Sequence, residues 1–380
     1  MMIFDYETLR IIWWAFLGIL FIGFAITGGF DLGVGVLLPF LGKTDEERRV
    51  ILNSVGPTWE GNQVWFVMSG GALFAAWPMA YAVSFSSLYF ALLLTLFALF
   101  LRPLGFDYRS KLPNKKWRAN WDKALFVGGF VPALVFGVAF GNLLKGIPFH
   151  FETDMRIVYF GSLLGLLNPF SLLAGLISLS MFIMHGAVYL QIKTVADINR
   201  RAKKTAINFT LLTLVLFALA GYWIIYLDGY HITSEIFPNA PSNPIAKFVK
   251  RAPGLWLDNY GHLPGLLAVP GTAFISGLLT VTLVRLNKPG SAFIFSCITV
   301  AAIVLTAGCS MFPFLIPSSI SVNSSLTVWD ASSSITTLNL MFWVTVIFLP
   351  LILIYTSWVF RVFRGKVTVE HIRKNKHTVY

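Results

Sequence analysis

The chain has 380 residues, 56% of them hydrophobic and only 12% charged, and a mean hydropathy of +0.73. Soluble domains carry about 25% charged residues, so this composition excludes an ordinary soluble enzyme, and its long continuous apolar runs exclude the alternating pattern of a β-barrel. The formal net charge of +12 would point to nucleic acid in a soluble protein, but its distribution here follows membrane topology, and no nucleic-acid partner is expected.

The pattern predicts an all-α polytopic membrane protein with nine transmembrane helices, near 11–40, 58–76, 79–101, 124–144, 160–190, 206–228, 265–284, 291–313 and 336–360. They form one integral membrane domain over 1–380. Its expected halves are two four-helix units, 1–144 and 160–313, with a ninth helix at 336–360 and a tail at 361–380. No cleavable signal peptide is expected, because Asp5 and Glu7 accompany Arg10 and no short apolar core leads to a small-residue cleavage site.

Span 1 contains "GFAITGGFDLGVGVLLPF", with Asp31 about twenty residues in and glycines that allow close helix approach. An acid at membrane depth faces a bundle interior or a water-filled route. Asp31 is therefore either a proton- or ion-carrying carboxylate or a structural one bonded to a neighbouring helix. Span 2 opens with "PTWEGNQVWF", where Pro57 and Thr58 signal a helix start. Glu60 and Gln63 share one face, and Asn62 and Trp65 form an adjacent stripe. Glu60 reads as a first-turn acid favoured by the helix dipole or as a proton entrance.

The segment Asp107 to Lys123 is basic and reads as a cytoplasmic loop touching anionic headgroups. Span 5 is long enough for a tilt, a kink at Pro169 or an extension into water. It holds His185, the one histidine within an apolar run. A lone membrane histidine reads first as packed and hydrogen-bonded, and one candidate ligand is too few for a multi-haem site. Gly229 to Pro264 and Ser318 to Thr337 are the larger outer loops. Cys297 and Cys309 lie twelve apart on one helix, about 18 Å along its axis, too far to pair.

The connections on one side hold 23 of the 29 Lys and Arg, and those on the other hold 6. The positive-inside rule then places the N-terminus in the periplasm and the C-terminus in the cytoplasm, with Asp31 and Glu60 toward the cytoplasmic side. No HExxH, CxxCH or Walker loop occurs. With no self-contained catalytic apparatus, the chain reads as a transporter or as a partner of a chemistry-bearing subunit. Ion coupling through Asp31 and Glu60 favours the transporter on composition alone, but no pair of interrupted helices in matching positions is visible.

Several long segments carry a resemblance: "GFAITGGFDLGVG", "ERRVILNSVGPTWEGNQVWF", "GGALFAAWPMAYA", "RPLGFDYRSK", "GVAFGNLLKGIPF", "TAGCSMFPFLIPSS" and "SLTVWDASSS". In these the chain resembles subunit II of the cytochrome bd ubiquinol oxidases, over nearly its whole length. The resemblance implies a bacterial inner-membrane complex with a homologous-fold subunit I that holds haems b558, b595 and d, oxidises quinol and reduces O₂ to water. A small single-helix accessory subunit accompanies some members, and this chain would bind no haem itself. The resemblance also implies a cytoplasmic proton route at Asp31 and Glu60 and an O₂ route at Trp65. Two positions depart from the family pattern. Glu60 stands where members often have aspartate, and Gly28 where a second aspartate often precedes "GFD". Some members carry a structural quinone in this subunit, and no residue here decides that point.

Overall fold

The computed structural model describes residues 4–374 and 380. In chain order the helices are α1 (Tyr6–Leu41), α2 (Asp45–Val55), α3 (Trp59–Ala76), α4 (Pro78–Ser87), α5 (Tyr89–Tyr108), α6 (Lys115–Lys145), α7 (Pro169–Lys193), α8 (Ala196–Trp223), α9 (Asp258–His262), α10 (Ala268–Arg285), α11 (Pro289–Met311), α12 (Ile335–Val362) and α13 (Val369–Lys374). Short side chains cap them where the sequence changes character. Asp5 accepts from the Thr8 amide (3.1 Å), Asn114 from the Lys116 amide (2.8 Å) and Ser334 from the Thr337 amide (3.2 Å). Thr44 and Glu47 close a capping box on α2.

Among the described residues, eight helices are long and apolar enough to cross a membrane: α1, α5, α6, α7, α8, α10 (counted from Pro264), α11 and α12. The remaining expected span is α3. It is 18 residues long, but its first turns carry Glu60, Asn62 and Gln63. The chain is an all-α polytopic membrane protein, and the ninth crossing rests on this one polar-headed helix.

Several boundaries differ from the sequence expectation: α6 begins at Lys115 rather than 124, α8 runs Ala196–Trp223 rather than 206–228, and two spans are built differently. Pro169 does not kink a long span: it is the first residue of α7, and Asn168 caps the helix by accepting from the Ser171 amide (3.1 Å). Residues 160–168 are a connection with one 3-10 turn at Leu164–Leu166. The span expected at 79–101 is instead the ten-residue α4 followed by α5, which runs on to Tyr108. Trp77, just before Pro78, leaves the helical region (φ −136°, ψ 73°), as pre-proline sterics favour. The shift carries Arg102, expected in a loop, into the body of α5 at 3% exposure.

α1 packs on α3, α6, α7 and α11, and α7 also packs on α6 and α8. α7 is the inner helix: 78% of its apolar window is buried, against 6% for α12. Glycine makes the central crossing. A Cβ on Gly33 would strike the Phe182 carbonyl, and one on Gly186 would lie 2.7 Å from the Val34 amide, so α1 and α7 touch backbone to backbone.

Three two-stranded antiparallel ribbons sit in the connections: β1 (Phe149–Phe151) with β2 (Ile157–Tyr159), β3 (Asp228–Ile232) with β4 (Val249–Pro253), and β5 (Phe314–Ile316) with β6 (Leu326–Thr327). In β3–β4, Asp228 pairs with Pro253 and Ile232 with Val249. The loop between α8 and α9 is thus a folded hairpin. Lys247 joins it to Asp330 of the next loop across 2.9 Å.

At the opposite end, the basic segment after α5 is locked onto α2. Asp122 accepts from Arg109 at 2.5 Å and Arg48 at 2.7 Å, while Asp45 accepts from Arg109 at 3.0 Å and Arg118 at 2.6 Å. These arginines tie α2 to α6 and to the segment after α5.

Candidate functional site

Asp31 lies in the glycine-rich part of α1 and is 1% exposed. α3 starts beside it, and the Asn62 amide donates to its Oδ2 at 2.7 Å. Asn62 is 2% exposed and Trp65 7%, so the asparagine–tryptophan stripe of α3 faces inward. Glu60 is on the outer side of the same helix and is exposed. The structure therefore brings Asn62, not Glu60, to Asp31. Thr58 occupies the cap position of α3 without capping it, its hydroxyl donating to the Val55 carbonyl (3.2 Å).

Glu60 has different company. The ring of Tyr380 lies 5.5 Å from that of Phe106, and its backbone is tied to Asn53, which donates to its carbonyl (2.8 Å) and accepts from its amide (3.0 Å). Burial, then the charges of Asp107 and Glu60, push the Tyr380 phenol above its ordinary value. A polar cavity of about 790 Å³ opens here, lined by Asn53, Thr58, Asp107, Lys111, Tyr189 and Tyr380 among others. Its inner wall reaches Thr58 and Tyr189, and Tyr189 feels the charge of Asp31.

Trp65 packs flat against α1, and any side chain at Gly23 would run into its ring. Beside it, Phe24, Phe66 and Phe136 form a trio with ring centroids 5.0–5.3 Å apart. Two apolar cavities flank the trio. One of about 630 Å³ is lined by Phe24 and Phe136, and one of about 780 Å³ by Phe66 and Phe136. Trp65 lines neither and stands behind the partition.

His185 is fully buried and committed at both ring nitrogens, to Ser296 Oγ (2.9 Å) and the Ile26 carbonyl (3.0 Å). An iron could take it only by breaking one of those bonds, and no group of three His, Cys, Asp or Glu occurs among the described residues. The buried histidine thus serves as a hydrogen-bonded contact between α7, α11 and α1. Of the four hydroxyls lining the smaller apolar cavity, Tyr260 and Ser310 bond each other at 3.0 Å, Thr306 donates to the Ala302 carbonyl at 2.7 Å, and Ser178 completes the set. Both cysteines are free thiols.

The sequence reading missed Arg102, Tyr189 and Tyr380. Arg102 carried a visible signal, since the apolar run resumes beyond it as Pro103-Leu104-Gly105-Phe106. Tyr380 carried none, because it reaches the site from the far end of the chain.

The fold and site define a polytopic helical membrane protein with a buried Asp31–Asn62 pair, a polar cavity at one end and apolar cavities alongside. The comparisons name its class. Residues 9–363 match the family described as cytochrome bd terminal oxidase subunit II, and the chain belongs to this family. It is 52% identical to cytochrome bd-I ubiquinol oxidase subunit 2 of Escherichia coli K12, covering 99% of this chain and 100% of that one. It is 30% identical to cytochrome bd ubiquinol oxidase subunit 2 of Bacillus subtilis, covering 95% and 97%. The fold matches a chain in the structure of bd oxidase from Geobacillus thermodenitrificans with a TM-score of 0.71, 19% identity, and coverage of 94% and 98%. The chain is thus a multi-pass bacterial inner-membrane protein and a component of a quinol:O₂ oxidoreductase.

Proposed function

We propose that this chain is the subunit of a cytochrome bd-type quinol oxidase that carries protons and O₂ toward a haem-bearing subunit I. In the complete reaction two quinols supply four electrons, and O₂ takes these with four protons to give two waters. Consuming protons from the cytoplasm adds to the proton motive force. The complex needs subunit I, can hold a small accessory subunit, and presents the bare face of α12 to lipid or partner.

The observation that carries the proton role is the polar cavity ending at Thr58 and Tyr189, one helix turn from Asn62 and its bond to Asp31. Tyr380, whose phenol feels the charge of Glu60, lines it, as does Thr58, four residues before Asn62. A buried carboxylate reached this way can take and pass a proton, whereas a purely structural one needs no approach from water. The O₂ role rests on the apolar cavities at the Phe24–Phe66–Phe136 partition. O₂ is small and apolar, so it concentrates in such space, and Trp65 fixes the partition from behind.

The test is quinol-driven O₂ uptake by complex purified through a tag on this chain. Haem b and d absorbance should co-purify. Asp31→Asn and Glu60→Ala should each slow turnover about tenfold, about 1.4 kcal/mol in the barrier, with haem content unchanged. Full turnover in both would leave only a scaffold role. Trp65→Ala should raise the O₂ concentration for half-maximal rate more than it lowers haem content, and an unaltered oxygen dependence would remove the gas-path assignment.

A further inference from the structure

Where α4 breaks into α5, a cavity of about 540 Å³ lies between the helix junction and the segment that follows β2. Its lining includes Ser87, the last residue of α4, and Tyr159, the last residue of β2. Ser87 is 3% exposed, and its hydroxyl has no hydrogen-bond partner among the described residues. Elsewhere in the bundle such hydroxyls are satisfied within their own helix. Ser69, Thr95 and Thr210 each donate to the carbonyl four residues back, at 2.7, 3.0 and 2.6 Å. The Tyr159 hydroxyl is also buried and unpartnered among the described residues. Pairing with Phe149 fixes Tyr159 at the end of its ribbon. Gly161 leaves room for the phenol, since any side chain there would run into it. Burial pushes this phenol above its ordinary value, so it stays a donor.

A buried hydroxyl without an acceptor is costly, and two of them on one cavity point to an acceptor inside it. The cavity limits what that acceptor is. Among the described residues no charged side chain lines it, so the acceptor is neutral. Phe85, Tyr89 and Phe90 line it and are exposed, so the molecule that carries the acceptor is largely apolar. The membrane span α5 begins at Tyr89. That puts the cavity at the boundary depth, where aromatic side chains meet the polar ends of lipids. From there Phe90, Leu94 and Phe97 are exposed at helical spacing along α5, an apolar track for a chain.

We propose that this cavity is a phospholipid site, in which Ser87 and Tyr159 donate to the ester carbonyls of one lipid while an acyl chain lies along α5. The bound lipid ties the α4–α5 junction to the β1–β2 ribbon.

The test uses the whole complex, delipidated in detergent. It is titrated with phosphatidylethanolamine bearing ester-linked chains, or with the ether-linked analogue, which lacks the carbonyls. Native mass spectrometry counts the lipids retained. The parent should hold one ester lipid about tenfold more tightly than the ether lipid, and Ser87→Ala/Tyr159→Phe should abolish that preference. Neither substitution removes a side-chain hydrogen bond made among the described residues, so haem content should stay unchanged. Equal retention of the two lipids by the parent would overturn the proposal, as would a preference that survives in the double variant. Loss of a co-purifying quinone, and not of a phospholipid, in the double variant would overturn it as well.

Discussion

The arginines of this chain fall into two groups that residue type alone does not separate. Arg102 sits among apolar helices with its Nη1 buried and unpartnered in the described residues, whereas Arg109 and Arg48 share Asp122 in a network of alternating charge. Asp122 is 2% exposed and Arg109 is fully buried, so the pair cannot exchange its partners for water. Removing Asp122 leaves the buried Arg109 with only the part-exposed Asp45 opposite it. Asp122→Asn is therefore expected to cost about 3–5 kcal/mol of stability, read as a lower midpoint of thermal unfolding for the detergent-solubilised complex. The exposed pair Arg156–Glu152 should be worth well under about 1 kcal/mol, and Glu152→Gln should leave the midpoint unmoved.

Helices here are held by contact at glycine and by clamps at their ends. Where α1 crosses α7, Gly33→Ala puts a methyl into the Phe182 backbone, which cannot retreat as a flexible side chain can. Complex yield should fall severely. Gly18→Ala, on the same helix with nothing within 4 Å, should leave yield intact. The capping box of α2 is also an interhelical clamp, because Glu47 accepts from the Lys43 amide (2.7 Å) and from Arg201 of α8 (2.6 Å). Burial alone would raise the Glu47 carboxyl, but these hydrogen bonds outweigh it and hold the group below its ordinary value. A depressed folded value means the stabilisation is present above the unfolded carboxyl range and is lost as pH falls through the folded value. Glu47→Gln should thus cost about 1 kcal/mol at neutral pH. The gap between parent and variant should close on acidification, measured by thermal unfolding across pH.

The whole molecule is sealed differently at its two ends. At the end that carries the termini of α2, α8 and α13, arginines pair with Asp45, Glu46, Glu47 and Asp122. At the other, Lys247–Asp330 and Arg10 bind the two long loops to each other and to the start of α1, Arg10 donating to Ser332 Oγ (2.8 Å) and the Ala240 carbonyl (3.1 Å). Lys247 is largely buried, which lowers its amine, while Asp330 opposes that shift. Lys247→Met strands Asp330 and should loosen the hairpin, seen as faster proteolysis within 229–264 in right-side-out vesicles. The charge bias of the sequence predicts that the arginine-rich end faces the cytoplasm. A C-terminal epitope should accordingly be reached by antibody in inside-out vesicles and be hidden in right-side-out ones.

Hydropathy and charge distribution by themselves determined that this is a helical membrane protein, because backbone desolvation in lipid leaves few alternatives. The same sequence marked Asp31 as buried and put Asn62 and Trp65 on one stripe, because helical period is a local property. It could not say which acid meets which amide. Glu60 and Asn62 are two residues apart, yet one faces out and the other bonds Asp31, a choice made by the rotation of α3 against α1. It also could not place Arg102 inside α5, because the room for its stem is made by Gly128 of α6 through space. Tyr380, which lines the polar cavity, was equally beyond reach. Tertiary packing decided these points, since long-range electrostatics and backbone contact act through space and leave no period in the sequence.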